Sequence, residues 1–502
     1  MNKTDLIRKF FIPRQRALEK LDKHSIELQN HVIQYLIKRG ADTEWGKKYN
    51  FDKINNYEDF SRQVPVTNYE DLKGYIGRMR HGEQNILWPG QVKWYAKSSG
   101  TTNDKSKFIP VSKDGLQSIH YLGGKDCICY HLNLHKKSRI FDGKNLILGG
   151  SHQPNYNVAN SLVGDLSAIL LENLSPMINA VRTPSKKTAL LADFEKKRDR
   201  IAHESIKHNV VTLSGVPSWM MSVLKRVLEV SGKNDIHEVW PELEVFWHGG
   251  VAFTPYREQY KQLIPSDIMN YMETYNASEG FFGIQNDPND PSLMLMTDYG
   301  MFYEFIPVSE VDSENPTVVP LEGVEVGKNY AMVISNVCGL WRYLIGDTVR
   351  FTSKEPYKFV ITGRTKHFIN AFGEELIVDN AEKGLAKACA ETNALVKDYT
   401  AAPIFMDQNA HCRHQWLIEF EQEPSSLEEF VNILDSELQH INSDYEAKRY
   451  KDITLQKLEV IVARKGLFDE WLKEKGKLGG QHKIPRLSNN RDYIDEMISM
   501  NK

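Results

Sequence analysis

The chain has 502 residues, of which 41% are hydrophobic and 26% charged, the balance of a globular protein with a large core in two or more domains. Its 63 basic and 66 acidic residues leave a net charge of -3, so the composition favours neither nucleic acid nor an anionic membrane as a partner. No apolar run approaches the roughly 20 residues that span a bilayer, and the first residues lack the apolar segment of a signal peptide. Five scattered cysteines, without CxxC spacing, are typical of a reduced protein without disulfides. We therefore expect a cytoplasmic protein.

The first sixty residues are predicted to be helical. Apolar side chains recur at roughly helical spacing from Leu18 to Leu36, and Gly40 is a suitable residue to end the helix. The pattern does not decide whether this extension packs onto the rest of the chain or offers a surface to a partner.

Between residues 92 and 362, short apolar strands alternate with helices, which predicts an α/β architecture with buried sheets. Two such strands are residues 145–148, before a pair of glycines, and residues 243–247, before His248. An apolar stripe after Ser218 predicts a helix that ends at Gly232.

A glycine turn at Gly363–Lys366 marks the predicted domain boundary, because a block with its own strand and helix follows it. We predict a large domain over residues 1–363, a hinge at 364–366 and a small α+β domain over 367–502. Within the small domain, the His-Cys-Arg-His run at 411–414 is predicted to be a solvated loop, because no second pair of metal ligands stands at zinc-site spacing.

Five segments carry chemistry, and the first is Lys97-Ser-Ser-Gly-Thr-Thr102, followed by Lys105 and Lys107. Backbone N–H groups around a glycine form a concavity that binds anionic oxygens, and hydroxyls and a lysine add further donors. The spacing is not GxxxxGK[ST], so a P-loop is not indicated. By itself, such a cluster is usually only a surface loop.

The second segment runs from Glu273 to Gly280 and the third from Trp341 to Asp347. In the second, an apolar approach leads into a turn with an aromatic ring, a hydroxyl and a carboxylate, which suit purine stacking, phosphate contact and Mg²⁺ binding. In the third, Asp347 follows a strand and a glycine turn, and its carboxylate is suited to accept hydrogen bonds from a ribose diol. Taken alone, the second segment is better explained as an ordinary strand end, and an aspartate that closes a hairpin turn, as in the third, is common.

The fourth segment, residues 362–366, runs on to 372–375, and the fifth covers residues 479–486 around Lys483. A lone lysine in a glycine-rich loop is either an ordinary surface residue or a group that a mobile domain delivers into a cleft.

In this order, the five segments resemble the GH3 family of acyl acid–amido synthetases, part of the superfamily of adenylate-forming enzymes. Residues 98–110 resemble its SSGTS…K(F/L)IP phosphate loop, 275–279 its YxxSE box and 341–347 its YRYRVGD box. Residues 363–366 resemble the superfamily's hinge, and 482–486 its catalytic-lysine segment. The similarity runs from residue 60 to the end. Leu344 replaces a basic residue that is usual in the third box, and the chain is shorter than plant members. We therefore take it as a bacterial-type member and do not carry over plant substrates.

The resemblance implies an amino-terminal adenylate-forming domain with α/β sheets and a barrel-like subdomain, followed by a small mobile carboxy-terminal domain. It implies ATP and Mg²⁺ as cofactors, activation of a small carboxylic acid to acyl-AMP with release of pyrophosphate, and transfer of the acyl group to an amine such as an amino acid. The ATP-binding residues that it implicates are Ser98, Ser99, Gly100, Thr101, Thr102 and Lys107 at the β- and γ-phosphates, Ser278 at the α-phosphate, Tyr275 at adenine, and Asp347 and Arg364 at the ribose. Glu279 is implied to hold Mg²⁺, Lys483 to neutralise charge at the reacting centre and Lys366 to act as the hinge.

The acid pocket is expected near two segments that share small and apolar residues, namely Val216, Trp219, Met220, His248, Gly249 and Gly250. Their apolar character favours an aromatic or aliphatic acid. Two alternatives stay open: an acyl-CoA ligase with a thiol acceptor, and a non-catalytic nucleotide-binding relative, against which the retained Lys483 and Glu279 argue. The sequence does not identify the acid, the amine or the oligomeric state.

Overall fold

The computed structural model describes residues 3–98, 107–250, 253, 257–311, 313–365, 368–374, 376–405, 412–452, 454–474 and 486–502. The chain divides into two compact units. The first is formed by the described residues up to Thr365 and the second by those from Phe368 onward.

The first unit mixes helices and strands. Its helices are α1 (Lys3–Arg8), α2 (Ile12–Gly40), α3 (Glu44–Lys48), α4 (Tyr57–Gln63), α5 (Tyr69–Arg80), α6 (Lys113–Gly115), α7 (Leu122–Leu134), α8 (Leu166–Glu172), α9 (Pro176–Ala180), α10 (Lys186–Ala189), α11 (Phe194–Ser205), α12 (Pro217–Ser231), α13 (Ile236–Val239) and α14 (Arg257–Leu263). Its strands are β1 (Trp94–Ser98), β2 (Lys107–Val111), β3 (Lys144–Ile147), β4 (His152–Pro154), β5 (Leu162–Gly164), β6 (Arg182–Thr183), β7 (Val210–Gly215), β8 (Val245–Gly249), β9 (Asn270–Ala277), β10 (Gly280–Gln285), β11 (Leu293–Leu295), β12 (Met301–Pro307), β13 (Val319–Pro320), β14 (Asn329–Asn336), β15 (Tyr343–Lys354) and β16 (Tyr357–Arg364). Shorter helical segments are 3₁₀ turns at Lys9–Phe11, Phe51–Lys53, Val308–Glu310 and Leu321–Gly323 and a π-helix at Leu116–Tyr121.

The amino-terminal extension is part of the main hydrophobic core. Helix α2 ends at Gly40, as predicted, and its apolar stripe from Leu18 to Leu36 is buried against the strands that follow residue 293. The side-chain amide of Gln29 donates to the carbonyls of Thr297 and Met301, at 2.8 and 3.0 Å. Since these contacts join residues far apart in the chain, the extension is a packing element of the first unit.

One continuous sheet organises the first unit, with the strand order β13-β12-β14-β15-β16-β11-β10-β9-β8-β7-β3-β6. Strands β6, β3, β7, β8 and β9 are parallel, and the pairings from β9 to β13 are antiparallel. Strand β9 therefore joins a parallel half to an antiparallel half. The α/β class predicted from the alternation of strands and helices is confirmed, and a barrel-like subdomain stays a prediction.

Helix α12 follows the parallel strand β7 and forms where the apolar stripe predicted it. It starts at Pro217, whose fixed φ suits the first helical position, and it ends at Gly232, whose φ of +66° permits the left-handed cap. A second, four-stranded sheet of the first unit has the order β2-β1-β5-β4.

The second unit has its own core. Its strands are β17 (Phe368–Ile369), β18 (Leu376–Ile377), β19 (Leu395–Ile404), β20 (Arg413–Gln422) and β21 (Glu459–Ala463), and its helices are α15 (Val378–Thr392), α16 (Leu427–Ile441), α17 (Ser443–Arg449), α18 (Leu467–Glu474) and α19 (Asp492–Met500), with a 3₁₀ turn at Tyr450–Asp452. Strand β20 lies between β19 and β21, and side chains from α18 and α19 pack on this sheet.

The prediction of a solvated loop at residues 411–414 is wrong for the part that the structure describes. Cys412 is buried, and His414 lies in the central strand β20, where its Nε2 is 2.8 Å from an oxygen of the buried Glu374. His411 lies outside the described residues. The histidine was mistaken for a loop residue because the run gives no sign that a strand begins at Arg413.

Candidate nucleotide and acid site

The second sequence segment forms a tight hairpin. Strand β9 ends at Ala277, which pairs with Gly280 at the start of β10, so the turn consists of Ser278 and Glu279. A Cβ on Gly280 would lie 2.3 Å from Met301 Sδ, so any larger residue there would require the Met301 side chain to move. The side-chain amide of Asn336 donates to the Glu279 carbonyl at 2.8 Å and fixes the turn on β14. Both turn side chains are partly exposed.

Tyr275 and Asp347, from the second and third segments, are in direct contact. The tyrosine hydroxyl donates a hydrogen bond to the aspartate carboxylate. Tyr275 is 7% exposed and its ring packs on Phe282, with centroids 4.7 Å apart, while Asp347 is 8% exposed. The structure thus brings together the side chains predicted for adenine and for the ribose. Tyr275 lies inside strand β9 rather than in the turn, and its stacking on adenine stays a prediction.

Asp347 lies within strand β15, whereas the sequence predicted it after a strand and a turn. That prediction is wrong because Gly346, at a φ of +93°, bends the strand without ending it. Asp347 pairs with Arg364 on the neighbouring strand β16, so the backbones of the third and fourth segments are adjacent. The side chain of Arg364 is not among those that the structure describes.

Arg342, also in the third segment, has a structural role that the sequence argument missed. Its guanidinium is buried and binds both carboxylate oxygens of Glu304, at 2.8 and 2.9 Å. It also donates to the carbonyls of Ser61 and Val64, at 2.7 and 2.6 Å. Arg342 therefore holds the third segment against the amino-terminal helices. No signal in the sequence identifies a partner so distant along the chain.

The predicted phosphate loop connects two paired strands. Ser98, the last residue of β1, is opposite Lys107, the first residue of β2. Ser99, Gly100, Thr101 and Thr102 lie outside the described residues, as does the side chain of Ser98. Lys107 is partly exposed, and its position at a hairpin end is compatible with the predicted phosphate contact.

The predicted acid-pocket segments meet at the carboxyl ends of parallel strands, where ligands of α/β proteins usually bind. Gly215 at the end of β7 pairs with His248 in β8, and a Cβ on Gly250 would lie 3.5 Å from Val216 Cγ2. Trp219 and Val216 are partly buried, whereas Met220 is fully buried. A Cβ on Gly249 would lie 2.3 Å from the Thr274 carbonyl, so the strands require glycine there.

His248 is 2% exposed, and burial lowers its pKa to about 3, so the ring is neutral. Neither of its ring nitrogens makes a hydrogen bond with the residues that the structure describes, and the same is true of the Tyr271 hydroxyl. A buried polar group without a partner costs about 1–3 kcal/mol. Burial also raises the pKa of the neighbouring Glu273 to about 7, with Arg257 opposing the shift.

Two further residues escaped the sequence analysis. His120 lies in the π-helix, and its Nδ1 is 3.1 Å from the side-chain oxygen of Asn276 in the second segment. Burial lowers the pKa of His120 to about 4. Lys197 donates to the carbonyls of Gly149 and Gly150, at 2.9 and 3.0 Å, and burial lowers its pKa to about 8. The glycine pair after β3 was a visible signal, but nothing in the sequence linked it to a lysine.

Lys366 and Lys483 both lie outside the described residues, so their predicted roles stay predictions. The described part of the chain contains no group of three or more His, Cys, Asp or Glu side chains that would hold a metal ion by itself. Among the described residues, no helix is long and apolar enough to cross a membrane.

Comparison with known proteins assigns the family over most of the chain. The GH3 family N-terminal domain matches residues 14–269, the central domain residues 294–364 and the C-terminal domain residues 379–492. The chain belongs to the GH3 family. This confirms the family predicted from the five segments.

The GH3 protein is similar to characterised ligases along nearly its whole length. It is 25% identical to the indole-3-acetic acid-amido synthetase GH3.3 of Arabidopsis thaliana, over 94% of this chain and 91% of that protein. It is 22% identical to the 4-substituted benzoates-glutamate ligase GH3.12 of the same plant, over 94% of each chain. These relatives support the predicted enzyme class, a ligase.

Two solved structures share the fold of the GH3 protein. The GH3.15 acyl acid amido synthetase in complex with 2,4-DB has a TM-score of 0.62 at 19% identity, over 97% of this chain and 95% of that one. A 2-hydroxyisobutyryl-CoA ligase in complex with its acyl-AMP and CoA has a TM-score of 0.56 at 12% identity, over 95% and 92%. The predicted fold class, with a large amino-terminal and a small carboxy-terminal domain, is confirmed.

Proposed function

We propose that this GH3 protein uses ATP to activate a small carboxylic acid as its acyl-adenylate and then transfers the acyl group to an amine, most simply that of an amino acid. The observation that carries the proposal is the contact between Tyr275 and Asp347, which brings together two separate segments that are predicted to bind the nucleotide. The names of the relatives, amido synthetases and an acid–glutamate ligase, support the same reaction.

In the first step, a carboxylate oxygen attacks the α-phosphorus of ATP, and the bond to pyrophosphate breaks. Negative charge accumulates around the α-phosphate, so aligned donors and cations supply most of the rate enhancement. In the proposal, Asp347 accepts hydrogen bonds from the ribose, and Tyr275 orients that carboxylate. The hydroxyl of Ser278 donates to the α-phosphate, and Lys107, with Ser98, Ser99, Gly100, Thr101 and Thr102, binds the β- and γ-phosphates.

The site suits Mg²⁺ as a partner of ATP. Glu279 offers a hard carboxylate ligand in a turn that Asn336 fixes, and it is partly exposed. The described residues contain no cluster of three or more side chains that would hold a metal ion, so most of the ligands of Mg²⁺ would be ATP oxygens and water. The ion would offset part of the triphosphate charge.

In the second step, the amine nitrogen attacks the acyl carbon, AMP leaves and the nitrogen loses a proton. We propose that Lys483 neutralises charge during adenylation and that rotation about Lys366 then removes it, so that the amine reaches the adenylate. The five cysteines are all free, in keeping with the proposed cytoplasmic location.

ATP–pyrophosphate exchange across aromatic, aliphatic and hydroxy acids tests the first step, with Lys483→Ala as the matched variant. Exchange should depend on the acid and fall by about 10²–10³ in the variant, the scale of losing one preorganised donor. Adding amino acids or CoA to the active acid then distinguishes an amide from a thioester product by mass. A protein that binds ATP but exchanges with no acid would support the non-catalytic alternative.

A further inference from the structure

A polar cluster lies on one face of strands β8 and β9. These strands are parallel neighbours, with Phe246 opposite Tyr271 and His248 opposite Glu273. Because side chains alternate along a strand, these four residues project from the same face of the sheet. Three of them, Tyr271, His248 and Glu273, carry polar groups, although the apolar ring of Phe253 packs against this face.

Phe253 packs between His248 and Tyr271. Its ring stacks on His248, with centroids 4.0 Å apart, and on Tyr271, with centroids 5.1 Å apart. Stacking covers ring faces, whereas the His248 nitrogens and the Tyr271 hydroxyl form hydrogen bonds in their ring planes. The apolar Phe253 cannot satisfy them, so three buried polar atoms on one face have no partner among the described residues. Folded proteins retain few such atoms without a reason.

The cluster shares strand β9 with the nucleotide segment and strand β8 with the predicted acid pocket. Glu273 and Tyr275 face the same side of β9, two residues or about 7 Å apart along the strand. Tyr260 links the cluster to the predicted acid pocket. Its ring packs on Phe253, and its hydroxyl donates to the carbonyl of Pro217, the residue after Val216, at 2.7 Å. His248 and Glu273 therefore connect the predicted acid pocket to the strand that carries Tyr275.

We propose that His248 and Tyr271 form the polar end of the acid pocket and that the acid bears a hydroxyl group, which they bind. This inference rests on the proposed function. A neutral imidazole offers one donor and one acceptor, and a phenol offers both, which matches a hydroxyl group. Within the cluster, Glu273 disfavours a second carboxylate, and the positive charge of Arg257, which acts on both His248 and Tyr271, disfavours an ammonium group. The pocket predicted from Val216, Trp219 and Met220 is therefore apolar at one end only.

Matched acids test this inference on the full-length protein. Exchange rates are measured with 4-hydroxybenzoate against benzoate and with 6-hydroxyhexanoate against hexanoate, for the wild type, Tyr271→Phe and Tyr330→Phe. Tyr330 is a buried control whose hydroxyl is already bonded to the Glu325 amide, at 3.0 Å. In at least one pair, the wild type should use the hydroxy acid with a kcat/KM at least tenfold above that of the plain acid. Tyr271→Phe should reduce this preference about tenfold, and Tyr330→Phe should keep it.

Thermal unfolding separates recognition from a structural role. Tyr271→Phe removes a hydroxyl that has no partner among the described residues and should leave the Tm unchanged or higher, whereas Tyr330→Phe breaks a hydrogen bond and should lower it. Equal use of the hydroxylated and plain acids, or an unchanged preference in Tyr271→Phe, would overturn the inference.

Calorimetric titration of the same acids distinguishes failure of the inference from failure of the proposed function. Binding of a hydroxy acid that depends on Tyr271, without any exchange, would support the pocket and refute the proposed catalysis. Exchange with plain acids alone would support the catalysis and refute the hydroxyl group. If no acid of either pair binds or exchanges, the pocket assignment is wrong.

Discussion

The hydroxyl of Tyr275 donates to the carboxylate of Asp347, from a strand 72 residues earlier in the chain. Removing the hydroxyl by Tyr275→Phe leaves the ring packing on Phe282 intact but takes away one hydrogen bond that orients the carboxylate. We expect KM for ATP in the exchange assay to rise about tenfold, the effect of one hydrogen bond to a charged group, with a smaller change in kcat. Tyr303→Phe, which removes a buried hydroxyl bonded to the Met296 carbonyl, is the control. An unchanged KM would show that Asp347 does not depend on Tyr275.

Lys366→Pro tests the predicted hinge. Proline fixes φ and removes a backbone donor, so it should restrict rotation at this position. We expect amide formation to slow more than pyrophosphate exchange, because only the second step needs the rotation. Single-turnover measurements separate the two steps. Equal slowing of both would mean that residue 366 is not the hinge.

Glu304→Ala tests the anchoring of Arg342. Both side chains are buried, and the variant leaves the guanidinium charged and without its carboxylate partner. The free energy of unfolding should fall by about 3–5 kcal/mol, the cost of breaking a buried ion pair on one side. Glu304→Gln keeps an acceptor and should lose less. Urea unfolding measures both, and a loss below 1 kcal/mol, roughly that of an exposed pair, would contradict the assignment.

Glu273 should make stability depend on pH. Burial raises the pKa of Glu273 from 4.5 to about 7, and Arg257 opposes the shift. Between pH 4.5 and about pH 7, the folded state therefore keeps a proton that the unfolded state has released. The free energy of unfolding therefore falls as pH rises through this window, by at most about 1.4 kcal/mol per pH unit.

Glu273→Gln cannot ionise and should abolish that slope. Burial lowers the pKa of His248 to about 3, so below the ordinary pKa of histidine this residue makes the free energy of unfolding rise with pH. Both proteins contain His248, so its contribution cancels when their stabilities are subtracted. Urea unfolding between about pH 5 and pH 8 measures the difference. Parallel stability curves for the two proteins would show that Glu273 titrates normally.

Local sequence patterns predicted the elements whose causes are local. The apolar period of α12, the cap at Gly232 and the end of α2 at Gly40 depend on neighbouring residues, and each lies where it was expected. The motifs also selected Tyr275 and Asp347, which prove to be in contact, because their residue types and order along the chain are characteristic.

Contacts between distant residues could not be predicted from the sequence. Arg342 binds Glu304, and His120 contacts Asn276, only because the sheet brings separate strands and helices together. Likewise, the position of Asp347 within a strand depends on pairing with β14 and β16, which outweighs the tendency of glycine to end a strand.

The bonds from Gln29 to Met301 and Thr297 have a consequence for biosynthesis. The apolar stripe of α2 is covered by strands that the ribosome makes 272 residues later. At about 5–20 residues per second, that interval lasts roughly 14 to 54 seconds. During this time the apolar side chains of α2 that face those strands have not yet met their partners and stay uncovered.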